Sequence, residues 1–375
     1  MMMVFVFGTL RHVPLLETVL GRAVDAADIE AAHLPDFETV WARGQAFPLL
    51  RAAPGQRAEG LLLSGLGAQD VARLSYYEEG FGYTLSPVMV TRGGAPCKAR
   101  AWFPPEGQWQ PGDAFDLEAW AARWAAINTR AAAEVMGYYG HRSAAQVAHM
   151  YPMIQGRAAS FIAAQANSAP ASFSGMRRAD VQLEALERPY ADFFAVEEYH
   201  LSFKQFDGGH SPVVKRAIFA PTDASLVLPY DPVRDQVLLL EQFRVGPYAH
   251  GDCAPWTLEP VAGRVDAGEP PEATARREAQ EEAGLHLDKL EVVCRGYPTP
   301  GTSSEFYHIF VGLADLGGTA AGFGGLDSET EDIRTHVLPA QRFIDMADGR
   351  ELKVAPLVLC AHWLARHRDR LRAAS

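Results

Sequence analysis

Short apolar runs and periodic apolar stripes alternate along the chain, and together they predict a mixture of strands and helices. The chain opens on a β-prone run, Val4–Phe7, which leads through Gly8 into a helical period of apolar residues. Gly and Pro then separate further strand-like runs as far as about residue 110. From Asp116 the chain becomes Ala-rich, with a helical stripe formed by Leu117, Trp120, Trp124 and Ile127. The first part of the chain is therefore predicted to be an α+β unit followed by helices.

A stretch rich in Ala, Ser, Asn, Pro and Gly at residues 165–175 is typical of a linker. Beyond it, β-prone runs and two helical segments indicate a second globular unit. The strands are predicted at residues 195–206, 213–219, 224–229 and 237–240, and the helices at residues 270–283 and 356–371. The predicted organisation is an α+β domain at residues 1–115, a helical connector and linker at residues 116–185, and a second domain at residues 186–375.

Composition narrows the classes of function. Of the 375 residues, 48% are hydrophobic, which allows real cores, and the net charge of −12 disfavours binding to nucleic acid or to an anionic membrane. No run reaches the roughly 18 apolar residues of a membrane-spanning helix. The four cysteines are widely spaced and form no C-x-x-C pair, which argues against a disulfide framework or a structural zinc site. We therefore expect a protein of the reducing cytoplasm.

Three glutamates in the helix predicted at residues 270–283 carry the first candidate chemistry. Glu278, Glu281 and Glu282 are spaced i, i+3 and i+4, which places their carboxylates on one narrow helix face. They also lie near the negative end of the helix dipole, where anions are disfavoured by about 0.3–1 kcal/mol each. Hard divalent cations such as Mg²⁺ prefer such oxygen ligands. The alternative is a solvated acidic face supported by an ion pair between Arg277 and Glu281.

The wider sequence pattern around these glutamates favours metal binding over a solvated acidic face. Three features resemble the Nudix box: Gly263, Glu269 after five intervening residues, and the run at residues 277–285, in which Ala279 stands where that family usually has a larger aliphatic residue. The resemblance implies a C-terminal Nudix α/β/α sandwich with a mixed sheet that hydrolyses a small-molecule nucleoside diphosphate derivative. It also implies that two or three Mg²⁺ or Mn²⁺ ions bind to Glu278, Glu281, Glu282 and the carbonyl of Ala262, while Glu269 and Arg277 brace the loop.

Three further stretches, at residues 228–244, 298–305 and 329–334, resemble the ADP-ribose pyrophosphatase branch of that family. This resemblance implies hydrolysis of ADP-ribose to AMP and ribose 5-phosphate by a homodimer that shares its sites. Arg244 would reach the diphosphate, Glu329 would be the general base, Glu282 would join it as a catalytic residue, and Glu331 would contact a metal. The other residues implied in substrate binding are Arg216, Phe193, Phe194, Thr299, Pro300, Gly301 and Glu305. Surface ion pairing for Arg244 and a core position for the two phenylalanines are the alternatives.

The N-terminal segment resembles the gamma-glutamylcyclotransferase-like fold over about residues 3–110, through Phe7–Leu10, residues 47–49 and residues 74–83. The resemblance implies a carboxylate-binding turn formed by Gly8, Thr9 and Leu10, and an acid/base role for Glu78. Ser75 departs from the Asp common in that family, and a scaffold without turnover is the alternative. The two-domain order also resembles bacterial proteins named for tellurite resistance, a label that specifies no reaction.

Three other functions remain open for the whole chain. In the first alternative, the Nudix-like domain would hydrolyse another nucleotide sugar or nucleoside diphosphate derivative. In the second, it would be a nucleotide-binding regulator, although all three glutamates of its box are present. In the third, the chain would be a gamma-glutamyl cyclotransferase whose Nudix domain senses a ligand.

Overall fold

The computed structural model describes residues 2–166, 173–318, 322–325 and 332–374. It divides into two compact units, Met1–Pro170 and Ala171–Ser375, and each is described by itself. Most of the linker predicted at residues 165–175 lies outside the described residues. The helices at residues 117–166, which the sequence suggested as a connector, belong to the first unit.

In its described residues, the first unit contains six strands and four α-helices. They are β1 Val4–Phe7, α1 Val13–Leu20, β2 Ile29–Ala42, β3 Pro48–Leu63, α2 Ala68–Glu79, β4 Thr84–Arg92, β5 Ala95–Phe103, β6 Pro111–Ala114, α3 Leu117–Gly137 and α4 Ala144–Ala166. The sheet order is β3-β1-β5-β4-β2-β6, and β3 also pairs with β2, so five strands close into a barrel-like sheet. Phe5, Leu34 and Leu62 are buried in its core. The structure confirms an α+β fold for this part of the chain.

The two long helices are fixed to this unit by specific contacts. The Asp116 carboxylate accepts hydrogen bonds from the backbone N–H groups of Glu118 and Ala119 and caps the start of α3. Trp120 is fully buried, and its indole N–H donates to the carbonyl of Ala46 at 2.9 Å. Both helices of the pair thus contribute to the core of the first unit. Among the described residues, none of the helices combines the length and apolar character needed to cross a membrane.

The second unit contains a three-stranded antiparallel sheet and a larger mixed sheet. Its elements are β7 Val181–Ala191, β8 Ala195–Phe203, β9 Val214–Ala220, β10 Ala224–Asp231, β11 Gln236–Phe243, α5 Val245–His250, β12 Trp256–Glu259, β13 Val261–Arg264, α6 Pro271–Ala283, β14 Lys289–Gly296, β15 Tyr307–Leu313, β16 Phe323–Gly324, β17 Ile333–Pro339, α7 Ala340–Asp348 and α8 Ala355–Ala373. The small sheet has the order β7-β8-β9. In the large sheet β14-β15-β10-β11-β17-β16, β10 and β15 are parallel, β12 pairs with β11 and β13 pairs with β10.

Alternating residues of the large sheet face two different helical layers. Val227 and Phe310 pack in one buried cluster with Ala279 of α6. Their neighbours along the strands, Leu228 and Val311, belong to a second cluster with α7 and α8. Since side chains along a strand point alternately to opposite faces, this pattern places helices on both sides of the sheet. The structure confirms the predicted α/β/α sandwich with a mixed sheet.

Candidate functional sites

Helix α6 carries the glutamates of the Nudix-like segment, and its ends are fixed by residue type. Pro271 occupies the first turn, where its missing N–H costs nothing. Gly284 ends the helix with a φ of 63°, a left-handed conformation that favours glycine. Ala275 and Ala279 are fully buried against the sheet. The small side chains thus face the sheet, and the three glutamates of the Nudix-like segment lie in the last two turns.

One guanidinium organises these carboxylates. Arg277 Nη1 donates to Glu278 Oε1 at 2.7 Å and to Glu281 Oε2 at 3.1 Å. Its Nε and Nη2 donate to the two oxygens of Glu269 at 3.3 and 3.1 Å. Burial opposes ionisation of Glu269, but hydrogen bonds from Arg277 and Thr274 prevail and hold the pKa of its carboxyl below the usual range. Arg277 and Glu269 therefore join the loop to the helix.

The third glutamate is held against the strand that precedes the loop. Glu282 is only 3% exposed, and its Oε2 accepts a hydrogen bond from the backbone N–H of Ala262 at 3.1 Å. The next residue, Gly263, lies under the carboxyl of Glu278, because a Cβ at this position would stand 1.9 Å from Glu278 Oε1. A Cβ on Gly324 would likewise stand 2.0 Å from the carbonyl oxygen of Glu282. The absence of side chains at both glycines allows this close packing.

The donor set fits a hard divalent cation. All candidate side-chain ligands are carboxylate oxygens, and Glu278 and Glu281 both contact the same nitrogen of Arg277, so their carboxyl groups lie close together. Among the described residues, however, no three His, Cys, Asp or Glu side chains already converge as a metal cluster. The predicted base Glu329 and the predicted ligand Glu331 lie outside the described residues.

Two phenylalanines lie beside this acidic site. Phe193 and Phe194, in the turn between β7 and β8, form an edge-to-face pair with ring centroids 4.6 Å apart. The guanidinium of Arg264, at the end of β13, lies 4.9 Å from the centre of the Phe193 ring, and Phe194 contacts Phe219 of β9 at 4.7 Å. Phe193 is 51% exposed, so its ring is available to stack on a planar group. These positions differ from the core alternative considered from sequence.

The predicted ribose loop joins the same region. The backbone N–H of Phe219 donates to the carbonyl of Thr302 at 2.8 Å, and that of Ser304 donates back to Phe219 at 3.1 Å. The loop therefore pairs with β9 at Phe219, which contacts the phenylalanine pair. Within it, the hydroxyls of Thr299 and Thr302 are hydrogen-bonded to each other at 2.7 Å. Pro300 and Gly301 form the exposed tip of this turn.

Arg244 is held by a buried carboxylate. Its Nε donates to both oxygens of Glu259 at 3.0 Å, and its Nη2 donates to Glu259 Oε2 at 2.8 Å. Glu259 is 8% exposed and also accepts a hydrogen bond from the hydroxyl of Thr257 at 2.6 Å. The arrangement fixes the direction of the guanidinium and differs from a loose surface ion pair.

Glu305 and Arg216 have different surroundings. Burial raises the pKa of Glu305 against the opposing hydrogen bond from Tyr307, and burial followed by the Glu305 charge raises the pKa of Tyr307 to about 12. Both groups therefore retain protons more readily than in water. Arg216 is exposed on β9, and its guanidinium donates to the carbonyl of Lys215. Within the described part of the chain, no contact brings Arg216 to the acidic helix.

The first unit has its own candidate site, a cavity of about 50 Å³. This exceeds the roughly 10–15 Å³ needed for one water molecule. The predicted residues Thr9, Leu10 and Glu78 line it, and Gly8 begins the adjoining turn with a φ of 57°. A Cβ on Gly8 would stand 2.3 Å from Cγ of Pro48, so both conformation and space require glycine.

The cavity wall is almost entirely aromatic and apolar. Its other lining residues are Phe5, Val6, Phe7, Phe47, Pro48, Tyr77, Phe81, Tyr83, Trp102, Asn128 and Tyr151. Glu78 is the one charged side chain in this lining. Burial raises its pKa to about 8, because no charge or hydrogen-bond donor of the cavity offsets the loss of water. A carboxyl with a pKa near neutrality is suited to accepting and returning a proton.

Several residues of these sites were not identified from the sequence. They are Glu259, Thr257, Arg264, Phe219 and Tyr307 in the second unit, and Tyr77, Asn128 and Tyr151 in the first. A carboxylate on the neighbouring strand, 15 residues from the arginine it contacts, carries no local spacing signal.

Comparisons with known proteins match both units. Residues 220–357 match the NUDIX domain family, and residues 4–122 match the family described as gamma-glutamyl cyclotransferase, AIG2-like. An ADP-ribose pyrophosphatase of Escherichia coli (strain K12) is 39% identical over 193 residues, which are 52% of this chain and 91% of that protein. An ADP-ribose pyrophosphatase of Haemophilus influenzae is 38% identical over 46% of this chain and 80% of that protein. A GDP-mannose pyrophosphatase of Salmonella arizonae is 31% identical over 40% of this chain and 77% of that protein.

The matches confirm both resemblances drawn from the sequence. The NUDIX match contains the whole segment from Gly263 to Leu285, and the N-terminal match contains the turn at Gly8 and the carboxyl of Glu78. The Escherichia coli relative is matched over nearly its whole length. On this identity and coverage, together with the fold and the arrangement of α6, the chain belongs to the Nudix hydrolase family.

Proposed function

We propose that the second unit hydrolyses the diphosphate of ADP-ribose to AMP and ribose 5-phosphate in a reaction that depends on divalent metal. The observation that carries this proposal is the acidic end of α6, where Glu282 contacts Ala262, Glu278 lies against Gly263, and Arg277 joins Glu281 to Glu278. Support for the substrate comes from the relatives named ADP-ribose pyrophosphatase.

The carboxylates of α6 and the carbonyl of Ala262 would hold two or three Mg²⁺ or Mn²⁺ ions. Bound there, the ions would neutralise the phosphoryl oxygens and lower the pKa of a bound water. Arg277 keeps the carboxylates directed, because its donors leave each glutamate one principal orientation. The attacking water forms a new P–O bond as the bond to the bridging oxygen breaks, and Glu329 would take the proton of that water. Glu331 would contribute to metal binding.

The substrate would lie between the acidic helix and the aromatic pair. Arg244, directed by Glu259, would donate to the diphosphate. The exposed ring of Phe193 would stack on the adenine, with Phe194 beside it. The loop containing Thr299, Pro300, Gly301 and Glu305 would form the wall at the terminal ribose, and Arg216 would reach the site of a neighbouring subunit.

A different nucleoside diphosphate derivative is the second candidate substrate of this unit. A relative named GDP-mannose pyrophosphatase supports it at 31% identity. The aromatic pair does not decide between adenine and guanine, because both bases stack. Direct comparison of the two substrates separates these candidates.

We expect the full-length protein with Mg²⁺ to release AMP from ADP-ribose at least about tenfold faster than it cleaves GDP-mannose or NADH. Replacing Glu282 with Gln keeps an acceptor for the Ala262 N–H but removes a charge, so kcat/KM should fall by roughly 10²–10³-fold. Chromatography of the products measures both effects. Glu272→Gln is the matched control, because Glu272 is on the first turn of α6 and is bonded to Arg295. Equal activity of Glu282→Gln and wild type would contradict the proposal.

Gly263→Ala should test whether the position of the Glu278 carboxyl affects the response to metal without affecting folding. The new methyl group would displace the carboxyl of Glu278, while the side chain can move without disturbing the buried core. We expect the Mg²⁺ concentration for half-maximal rate to rise by about tenfold or more, with an unchanged melting temperature. Titrating the rate with Mg²⁺ measures this, and Gly246→Ala is the control, since a Cβ there meets nothing within 4 Å. An unchanged Mg²⁺ response in Gly263→Ala would exclude this role of the glycine.

A homodimer formed through the second unit is the proposed assembly, in the cytoplasm. Exposed apolar side chains on the three-stranded sheet support the dimer, and the exposed free thiol of Cys253 suits a reducing compartment. These apolar residues are Val181, Leu183, Tyr190, Phe193, Phe194, Phe203 and Phe219.

Sedimentation at micromolar concentration should show a species of twice the 40.9 kDa chain mass. Leu183→Glu should shift it toward the single chain, because a charge on a buried contact surface is costly. Met89→Glu, at an exposed apolar side chain of the first unit, is the control. A wild-type protein that sediments only as the single chain would refute the dimer.

A second activity is proposed for the first unit, namely the release of 5-oxoproline from γ-glutamyl amides. The observation favouring it is Glu78, alone among apolar and aromatic residues with a pKa of about 8. The α-amino nitrogen of the substrate attacks its γ-carbonyl carbon, and the bond to the leaving amine breaks. Glu78 would take the proton from the attacking nitrogen and return it to the leaving amine. No oxidant or second substrate is needed.

The rate of this reaction should rise with pH. Glu78 has to be ionised to accept a proton, and its raised pKa leaves the carboxylate in the minority below about pH 8. We expect 5-oxoproline release from γ-glutamyl-alanine to increase as the pH rises through about 8 and to be lost in Glu78→Gln. Glu79→Gln is the control at the exposed neighbouring residue. A rate independent of pH from about 6 to about 9 would remove Glu78 from this role.

A further inference from the structure

The cavity of the first unit is completed by the helical pair α3–α4. Asn128 of α3 and Tyr151 of α4 line it, and both lie outside residues 4–122 that match the gamma-glutamyl cyclotransferase family. We propose that Tyr151 is a ligand-binding residue of this cavity and that the helical wall selects γ-glutamyl amides with an uncharged, apolar amine part. The proposal rests on the second activity proposed above and extends it to residues of the appended helices.

The helical wall is held in place by several contacts. The rings of Phe81 and Tyr151 meet edge to face with centroids 4.9 Å apart. Gly80, at the end of α2, packs closely on the start of α4, since a Cβ there would stand 3.3 Å from the carbonyl oxygen of Ala144. The amide of Asn128 donates to the carbonyl of Ala46 and accepts from Gln155 at 2.8 Å. The position of Tyr151 at the cavity is therefore fixed from several directions.

Several polar groups of the lining, including the buried indole N–H of Trp102, have no hydrogen-bond partner among the described residues. Among the described residues, the hydroxyls of Tyr77 and Tyr151 and the carboxyl of Glu78 have no hydrogen-bond partner, whereas the hydroxyl of Tyr83 donates to the carbonyl of Pro48. Tyr77 is 8% exposed, so water is largely excluded from its surroundings. A ligand that accepts hydrogen bonds would give these hydroxyl groups partners when it displaces water from the cavity.

The protonation of these groups defines what they can bind. Burial raises the pKa of both Tyr77 and Tyr151 well above that of free tyrosine, so their hydroxyls remain donors at all physiological pH values. An amide carbonyl oxygen accepts two hydrogen bonds and therefore matches two phenol donors. The carbonyl of a γ-glutamyl amide would thus be oriented toward them, with Glu78 beside the reacting nitrogen atoms.

The small number of charged side chains in the lining limits which amine part of the ligand the cavity accepts. Glu78 is its one charged side chain, and the rest of the wall is chiefly aromatic and aliphatic. A positively charged amine part would be transferred from water into a lining whose one charged side chain, Glu78, is already assigned to the reacting nitrogen atoms, which is costly. An apolar amine part would instead bury its surface against rings such as Phe81 and Tyr151. The lining therefore favours uncharged amine parts.

Full-length wild type, Tyr151→Phe, Tyr139→Phe and Glu78→Gln should be compared on two probes. The first probe is γ-glutamyl benzylamide, whose amine part is apolar, and the second is γ-glutamyl 4-aminobutylamide, whose amine part carries a positive charge. Tyr151→Phe keeps the ring that contacts Phe81 and removes only the hydroxyl. Tyr139→Phe is the matched control, because Tyr139 packs on Tyr76 and does not line the cavity. The rate of 5-oxoproline release and calorimetric binding are both measured.

Wild type should prefer the benzylamide by at least about tenfold in kcat/KM. Tyr151→Phe should raise KM and the dissociation constant for it by about 3- to 10-fold, as expected for one lost hydrogen bond, with the pH profile and melting temperature unchanged. Tyr139→Phe should equal wild type, and Glu78→Gln should lose turnover while still binding. A KM shift without a melting shift distinguishes ligand contact from a structural role.

The outcomes separate this proposal from the activity on which it rests. If wild type binds the benzylamide without turnover and Tyr151→Phe binds it more weakly, the activity fails and the binding role of Tyr151 stands. If Glu78→Gln loses turnover but Tyr151→Phe behaves as wild type, the activity stands and the role of Tyr151 is overturned. Equal use of the two probes overturns the selectivity, and absence of binding by wild type overturns the whole proposal.

Discussion

The acidic end of α6 depends on the balance between one guanidinium and the carboxylates around it. Glu278 and Glu281 lie near the negative end of the helix dipole, where their charges repel each other. Arg277 offsets this repulsion through short hydrogen bonds to both, and it continues to Glu269 at the start of the loop. Because these groups are partly buried, solvent screens them less than it screens a surface pair. The same contacts that stabilise the loop therefore keep the acids directed for binding.

Small residues elsewhere in the second unit leave room for α6 and for the network of Arg277 and its carboxylates. Ala275 and Ala279 let α6 approach the sheet, and Ala279 is fully buried where the family usually has a larger side chain. Gly263 leaves room for Glu278, and Gly324 leaves room for the last turn of α6. In each case, close packing of backbone and side chain leaves no space for a Cβ or a longer side chain. The geometry of the site thus depends on these glycine and alanine positions as well as on the charged side chains.

The sequence predicted much of this fold, because the signals in α6 are local. Prolines, a terminal glycine and the spacing of the glutamates predicted residues 270–283 as a helix, and the structure has Pro271–Ala283. The long hairpin of β2 and β3 was not predicted, since Asp36 takes a positive φ within β2 and shifts the register beside it. The burial of α3 and α4 in the first unit was also missed, because a periodic apolar stripe does not indicate which core it joins.

Similar reasoning explains which site residues the sequence could identify. The family resemblance pointed to Glu78 and Arg244 through short motifs. Tyr151 and Glu259 reach their sites through tertiary packing, and no spacing in the chain connects them to their partners. The positions of Glu329 and Glu331 fall outside the described residues, so their roles stay predictions.

The pairing of Arg244 with Glu259 has a consequence for discrimination among anions. Since the carboxylate already neutralises the guanidinium, the pair offers directed N–H groups with little net positive field around them. Free anions in the cell would gain little by approaching such a pair from a distance. Recognition would then depend on a shape that presents oxygen atoms to the N–H groups of Arg244, so that fit selects the ligand more strongly than charge does.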